Sequence, residues 1–434
     1  MRCLRAESAP TRNIETPAGR FGASLSDGLL RASGIPYASS NRWEMPQQLP
    51  FLDMMATMPA RACPQLPIPR LDMTLPSAFR GLEFSENCLD LSITAPEGCH
   101  GLPVVVWLHG GSYESGAADM AVFDPSVLVA EERVVFVSVS YRLGIFGWLS
   151  GDGRPANLGA FDVIAALRWI ARNIEGFGGD PGRVTLFGQS SGGDLAARLM
   201  VCDAARGLFH RVIVQSAPLD LPLRAGRMRR VMRRAAAGLD RDAADADLLA
   251  RQQQIRRAAR RFGLAGQMPF GVEFGAAPFP PEETLAEKHA ASAPEVNVLI
   301  GHMRDEAGLF LPPPERRLGR LMEPLRRVAV RRLTRRLYAE PARRFADRHA
   351  GAGGQVARFV IDWGHGAFGA AHLADLPLIL PGPDWLGTPL LPPEMTLEEL
   401  IAAGQPLRAL WAGFARDGRI GEDVPGIVRI LDRS

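Results

Sequence analysis

Short apolar runs of strand length alternate along this chain with longer stretches of helical spacing. Pro103-Val104-Val105-Val106-Trp107-Leu108, residues 134–140 and Val184-Thr185-Leu186-Phe187 are nearly unbroken in apolar, often β-branched residues, as strands covered on both faces require. Residues 211–215 and 296–301 repeat the pattern, and 89–94 alternates as a further strand. Between them, residues 157–174 place Leu158, Phe161, Ile164, Ala165, Leu167 and Trp169 at helical spacing, with Asn157 as the expected N-cap. Strands alternating with helices predict an α/β fold around a central, mostly parallel twisted sheet flanked by helices. Residues 16–37 read as short strands with glycine turns, and 52–80, rich in Met and Pro, as an irregular loop. Residues 407–414 predict a final helix, followed by a short polar tail.

Two stretches dense in arginine, 224–261 and 315–348, interrupt the alternation. Each predicts amphipathic helix, with Val231, Leu248 and Ile255, or Leu321, Leu325 and Val328, as the buried positions. Their cationic faces read as solvated. The competing reading, an anionic surface or nucleic acid, lacks the interleaved aromatics that stack bases.

Candidate chemistry centres on Val184-Thr185-Leu186-Phe187-Gly188-Gln189-Ser190-Ser191-Gly192-Gly193. A strand runs into G-x-S-x-G, and an alanine-rich helical pattern follows. Such a turn strains its central residue, so the positions two away on either side must be glycine. Ser190 is the residue centred between Gly188 and Gly192, which makes it the candidate nucleophile rather than Ser191. His109-Gly110-Gly111 follows a buried strand, where amides free of side chains can point outward. The N–H groups of Gly110, Gly111 and Ser191 are the candidate oxyanion hole. Read on the residues alone, the base stays open among His302, His365 and His372.

These motifs together resemble the type-B carboxylesterase/cholinesterase family, within the α/β-hydrolase superfamily. Phe187 to Gly193, His109-Gly110-Gly111, Ala166-Leu167-Arg168-Trp169-Ile170 and Phe177-Gly178-Gly179-Asp180-Pro181 carry the likeness. Thr16-Pro17-Ala18-Gly19, Gly34-Ile35-Pro36-Tyr37, Ser85-Glu86-Asn87-Cys88-Leu89 (Asn87 where aspartate is usual) and Trp411-Ala412-Gly413-Phe414-Ala415 extend it over most of the chain. The resemblance implies Glu306 as the acid, in Arg304-Asp305-Glu306; Ala307 stands where glycine is usual, which keeps Asp305 as the alternative. It implies His372 as the base, in Gly369-Ala370-Ala371-His372, ahead of Asp375-Leu376-Pro377. The order Ser190, Glu306, His372 is that of α/β-hydrolases. Ser216 matches a family serine near the triad, expected to bond Glu306 or His372, with a structural hydroxyl as the alternative. Cys63 and Cys88 fall where many members carry a disulfide, and the pairing is left open between a bond and two thiols. The family implies one domain over 1–434, with helical insertions at about 218–290 and 312–360.

The expected activity is a serine carboxylic-ester hydrolase working through an acyl-enzyme on short to medium uncharged esters. Amide or carbamate hydrolysis, or acyl transfer, with the same triad is the alternative; a non-catalytic binding module is remote, because all three residues are present. Trp107, Tyr113, Phe146 and Trp363 are the aromatics expected to line a gorge, too few for a choline cage.

Composition narrows this further. With 434 residues, 47% hydrophobic, the chain can bury a large core. A net charge of +3, with Lys288 the single lysine, gives no reason to expect nucleic acid as a partner. Among Cys3, Cys63, Cys88, Cys99 and Cys202 there is no C-x-x-C pair, so no zinc or redox site is expected, and the triad chemistry implied by the resemblance needs neither metal nor organic cofactor. No apolar run reaches membrane-span length and Met1 to Glu7 has no apolar signal core. A small ester as substrate, no membrane span and a cytoplasmic location are the expectations, and the oligomeric state is unassigned.

Overall fold

The computed structural model describes residues 10–75, 77–221, 223, 225–311, 317–365, 368–419 and 421–433. Its strands are β1 (Thr11–Thr16), β2 (Gly19–Ser26), β3 (Leu29–Pro36), β4 (Leu52–Met55), β5 (Asp90–Pro96), β6 (Leu102–Leu108), β7 (Val135–Val139), β8 (Gly179–Gln189), β9 (Arg211–Gln215), β10 (Asn297–Met303), β11 (Val356–Ile361) and β12 (Val428–Arg433). They form one sheet in the order β1-β2-β3-β5-β7-β6-β8-β9-β10-β11-β12, with β4 beside β2. From β7 to β11 every pairing is parallel, and antiparallel strands close both ends. This is the α/β-hydrolase arrangement, a mixed sheet with a parallel centre.

The continuous apolar runs are explained by cover on both faces. Along β6, Val104, Val106 and Leu108 enter one core layer while Val105 and Trp107 enter the other, because successive side chains point to opposite faces. Helix Leu158–Asn173 packs on the first face and helix Leu397–Asp417 on the second.

Several expectations need correction. Asn157 precedes its helix with φ 60°, and its side chain does not cap it. Instead its Nδ2 donates to the carbonyls of Glu273 and Ala276, and its Oδ1 accepts from the Glu273 N–H, pinning a distant loop. The 52–80 stretch holds β4 and a short helix, Pro69–Thr74. The last helix is longer than its apolar signal, and the polar tail contains the edge strand β12. In the first arginine-rich stretch Leu248 and Ile255 are buried as expected, but Val231 is only half-buried beside buried Met228 and Met232.

The second arginine-rich stretch presents the opposite face from the one expected. Helix Arg317–Thr334 passes through a π-helical turn, Arg335–Ala339, into helix Glu340–Gly351. Val330, Thr334 and Tyr338 point inward, whereas Leu325 and Val328 are exposed; the side chain of Leu321 lies outside the described residues. The reason is tertiary: Thr334 Oγ1 accepts the Ala307 N–H at 3.1 Å, and Tyr338 packs near the His372 ring.

Candidate active site

The carboxyl ends of the parallel strands converge where loops can meet. At the end of β8 the chain turns into helix Ser191–Leu199, and Ser190 at the turn has φ 56° and ψ −123°. That backbone is costly for a residue with a side chain, so its surroundings must hold it. The Ser190 N–H donates to the Gln215 carbonyl at 2.8 Å, and the Ser190 carbonyl accepts from the Asp194 N–H at 2.9 Å. A Cβ on Gly188 would sit 2.2 Å from the Gly192 carbonyl oxygen, and one on Gly192 would sit 2.1 Å from that of Leu108. Both glycines are therefore dictated by backbone contact.

Beyond β6, His109-Gly110-Gly111 folds against this turn. A Cβ on Gly110 would lie 3.0 Å from Ser190 Cβ, so the Gly110 backbone runs directly beside the candidate nucleophile. Gly111 has φ 113°, and a Cβ there would meet the Ser115 carbonyl oxygen at 2.0 Å. His109 is buried and stacks on Tyr141, with ring centroids 4.5 Å apart. Burial lowers its pKa to about 4, so the ring is neutral near neutral pH. A neutral ring 2.8 Å from the Gly110 carbonyl must carry its proton on Nδ1 to donate there. With that carbonyl held, the N–H of Gly111, on the other side of the same peptide, points the opposite way. The Ser191 hydroxyl accepts from the Tyr113 N–H at 3.2 Å, and the Tyr113 hydroxyl donates to Asp194 at 2.7 Å. The glycine loop is thereby fastened to the Ser190 helix.

Glu306 follows β10 and is fully buried. Its Oε2 lies 2.6 Å from His372 Nδ1, and its Oε1 accepts the Met303 N–H at 2.9 Å. Burial works against its charge, yet His372, Ser216 and the Met303 N–H together hold the carboxyl below the usual range. Ser216 helps lower it as a hydroxyl close to the carboxylate, although its Oγ makes no hydrogen bond of regular geometry among the described residues. Because Nδ1 faces a carboxylate it carries the ring proton, and Nε2 is left as an acceptor. Gln189 Nε2 lies 3.3 Å from that acceptor. Ser190 and His372 line one cavity, although no described hydrogen bond joins them; such bonds commonly tighten when substrate arrives.

The rival candidates fall elsewhere. Asp305 pairs with Arg304 at 3.0 Å on the far side of the turn. His302 Nδ1 meets the Met303 carbonyl at 2.8 Å, and His365 is exposed against Trp363. Cys63 and Cys88 are free, buried thiols. Hydrogen bonding to Cys63, with burial, raises the Cys88 pKa, and Cys63 Sγ accepts the Leu143 N–H at 3.3 Å. Among the described residues no cluster of His, Cys, Asp or Glu is arranged to hold a metal ion.

A cavity of about 100 Å³ holds Gly110, Gly111, Gln189, Ser190 and His372, walled by Leu71, Leu75, Met120, Phe123, Leu309 and Phe310. The aromatics expected to line it do not: Trp107, Tyr113 and Phe146 are fully buried in the core, and Trp363 packs against His365. Phe123 and Phe310 are the aromatics on its wall, and Phe310 and Tyr338 pack on the His372 ring with centroids 5.2 and 5.7 Å away. Neither they nor Gln189 stood out in the sequence. The only signal for Gln189 was its adjacency to Ser190.

The sequence profile of the carboxylesterase family matches residues 32–343, most of the chain. The chain belongs to the carboxylesterase family. It is 36% identical to a probable N-octanoylanthranilate hydrolase of Rhodococcus erythropolis, over 95% of this chain and 94% of that protein. A para-nitrobenzyl esterase of Bacillus subtilis is 33% identical, over 69% of this chain and 64% of that one. Among solved structures, a thermophilic para-nitrobenzyl esterase superposes with a TM-score of 0.78 at 26% identity, covering 96% of this carboxylesterase chain and 93% of its own. A carboxylesterase of Geobacillus stearothermophilus gives 0.71, also at 26% identity, covering 95% and 92%. This member is a carboxylic-ester hydrolase, and no described helix is long and apolar enough to cross a membrane.

Proposed function

We propose that Ser190 is the nucleophile, His372 the base and Glu306 the orienting acid of a serine esterase. What carries this reading is the 2.6 Å contact between buried Glu306 and His372, with Ser190 in the same cavity. His372 Nε2 takes the Ser190 proton as Oγ attacks the ester carbonyl. The amides of Gly110, Gly111 and Ser191 receive the developing oxyanion. His372 then protonates the departing alcohol, leaving an acyl-Ser190. Water repeats the sequence and releases the acid. No step calls for a metal or organic cofactor.

The cavity walls carry aliphatic and aromatic side chains and no formal charge beyond the reacting residues. They suit short to medium uncharged esters. Amide hydrolysis is the second reading, favoured by the relative named for an N-acylated anthranilate. The same proposal takes residues 1–434 as one unit in a cytoplasmic enzyme, its insertions at 218–290 and 312–360 roofing the site. Ser190→Ala tests the reading. Turnover of a nitrophenyl ester should fall by roughly 10⁴–10⁶-fold with the fold intact, and a variant keeping a few per cent of activity would refute the nucleophile.

A further inference from the structure

The outer side of helix Arg317–Thr334 is not explained by the reaction. Met322, Leu325 and Val328 are 50%, 62% and 44% exposed. Steps of three residues keep them on one side, opposite the buried stripe of Val330, Thr334 and Tyr338. Three aliphatic side chains facing water on one helix are a cost unless something covers them. Arg332 and Arg336 are also exposed there and form no ion pair among the described residues. A cleft of about 580 Å³ lies on the other side of the helix, beside Val330, where Arg304 pairs with Asp305, and Arg326 and Arg327 pair with Glu323.

We propose that this face docks on an anionic lipid surface. An aliphatic stripe amid arginines is the pattern of a helix lying in the plane of a membrane interface, apolar side chains in the acyl boundary and guanidinium groups among phosphates. A second copy of the chain fits poorly, since a two-fold contact would set these arginines against themselves. Location adds to the case. The helix packs on the Glu306–Phe310 turn, and Phe310, which is 44% exposed, walls the reacting cavity. A lipid surface on the outer side of the helix is therefore separated from a wall of the reacting cavity by the width of one helix, about 10 Å.

Co-sedimentation of the full chain with vesicles tests this. Binding is expected to equimolar phosphatidylcholine–phosphatidylglycerol vesicles, to weaken as salt rises, and to be slight with phosphatidylcholine alone. Leu325→Ser with Val328→Ser should weaken it roughly tenfold or more, as should Arg332→Gln with Arg336→Gln. Turnover of a short soluble ester should stay unchanged in both, which shows that they fold. Independently, Leu325→Trp should give a blue-shifted emission on the anionic vesicles. Equal binding to both vesicle types, binding unaffected by either double variant, or no vesicle binding would overturn the proposal; the last would leave an acidic protein surface as the occupant.

Discussion

Asp305 and Glu306 are adjacent carboxyls with unlike surroundings. Glu306 is sealed beside His372, whereas Asp305 reaches outward to Arg304. Glu306→Gln should therefore lower kcat/KM by roughly 10³–10⁴-fold, as loss of the orienting carboxylate does elsewhere, while Asp305→Asn changes it little. The reverse ranking in steady-state kinetics would move the acid to Asp305. A third carboxyl, Asp375, is fully buried, its oxygens without a hydrogen-bond partner among the described residues, and burial followed by the Glu306 charge raises its pKa from 3.8 to about 7. A raised acid binds its proton more tightly folded than unfolded, so its contribution to stability falls as pH climbs from about 4 to about 7 and stays low above. The advantage of Asp375→Asn over the parent, from denaturant midpoints, should grow between pH 5 and 8 by on the order of 2 kcal/mol. The proposed triad of Ser190, Glu306 and His372 was suggested by motifs, because each has distinctive neighbours in sequence. Gln189 and Tyr338 were not, and Asp375 stood in the motif of the base without any sign of its burial, since each matters through what the fold sets opposite it.

At the level of elements, one ion pair fixes how the first helical layer meets the sheet. Arg142, just past β7, donates from Nε and Nη2 to both oxygens of Asp162 in helix Leu158–Asn173, at 2.8 and 2.6 Å. Both side chains are buried. Asp162→Ala would leave the guanidinium sealed without its counter-charge, and stability by denaturant unfolding should drop by about 3–5 kcal/mol. Strands at the sheet centre were legible because double-sided burial demands continuous apolar sequence. The closing strand β12 was not, as an edge strand keeps polar residues such as Arg429 and Asp432, which pair with Asp362 and Arg358. Helix Arg317–Thr334 was legible as a helix but not in its rotation. Its inward face is chosen by contacts near His372 made by Thr334 and Tyr338, not by where its aliphatic residues fall.

For the molecule as a whole, the fold class was readable before any coordinates because strand and helix periods alternate over most of the chain. The cavity was not, since its walls come from segments far apart: residues 68–75, 120–123 and 309–310. Walls of this kind offer no ring of aromatic faces for a quaternary ammonium. The butyryl ester of a neutral alcohol should therefore be turned over with higher kcat/KM than butyrylcholine, and a clear preference for the choline ester would refute this.

The tight backbone contact between Gly192 and the Leu108 carbonyl has an evolutionary consequence. Where two chain segments touch with no side chain between them, mutation has almost nothing to adjust. The chain crossing at Gly192 and Leu108 is thus shielded from gradual drift. Variation between descendants must accumulate in the walls, where a changed residue alters which ester fits without disturbing how it is cleaved.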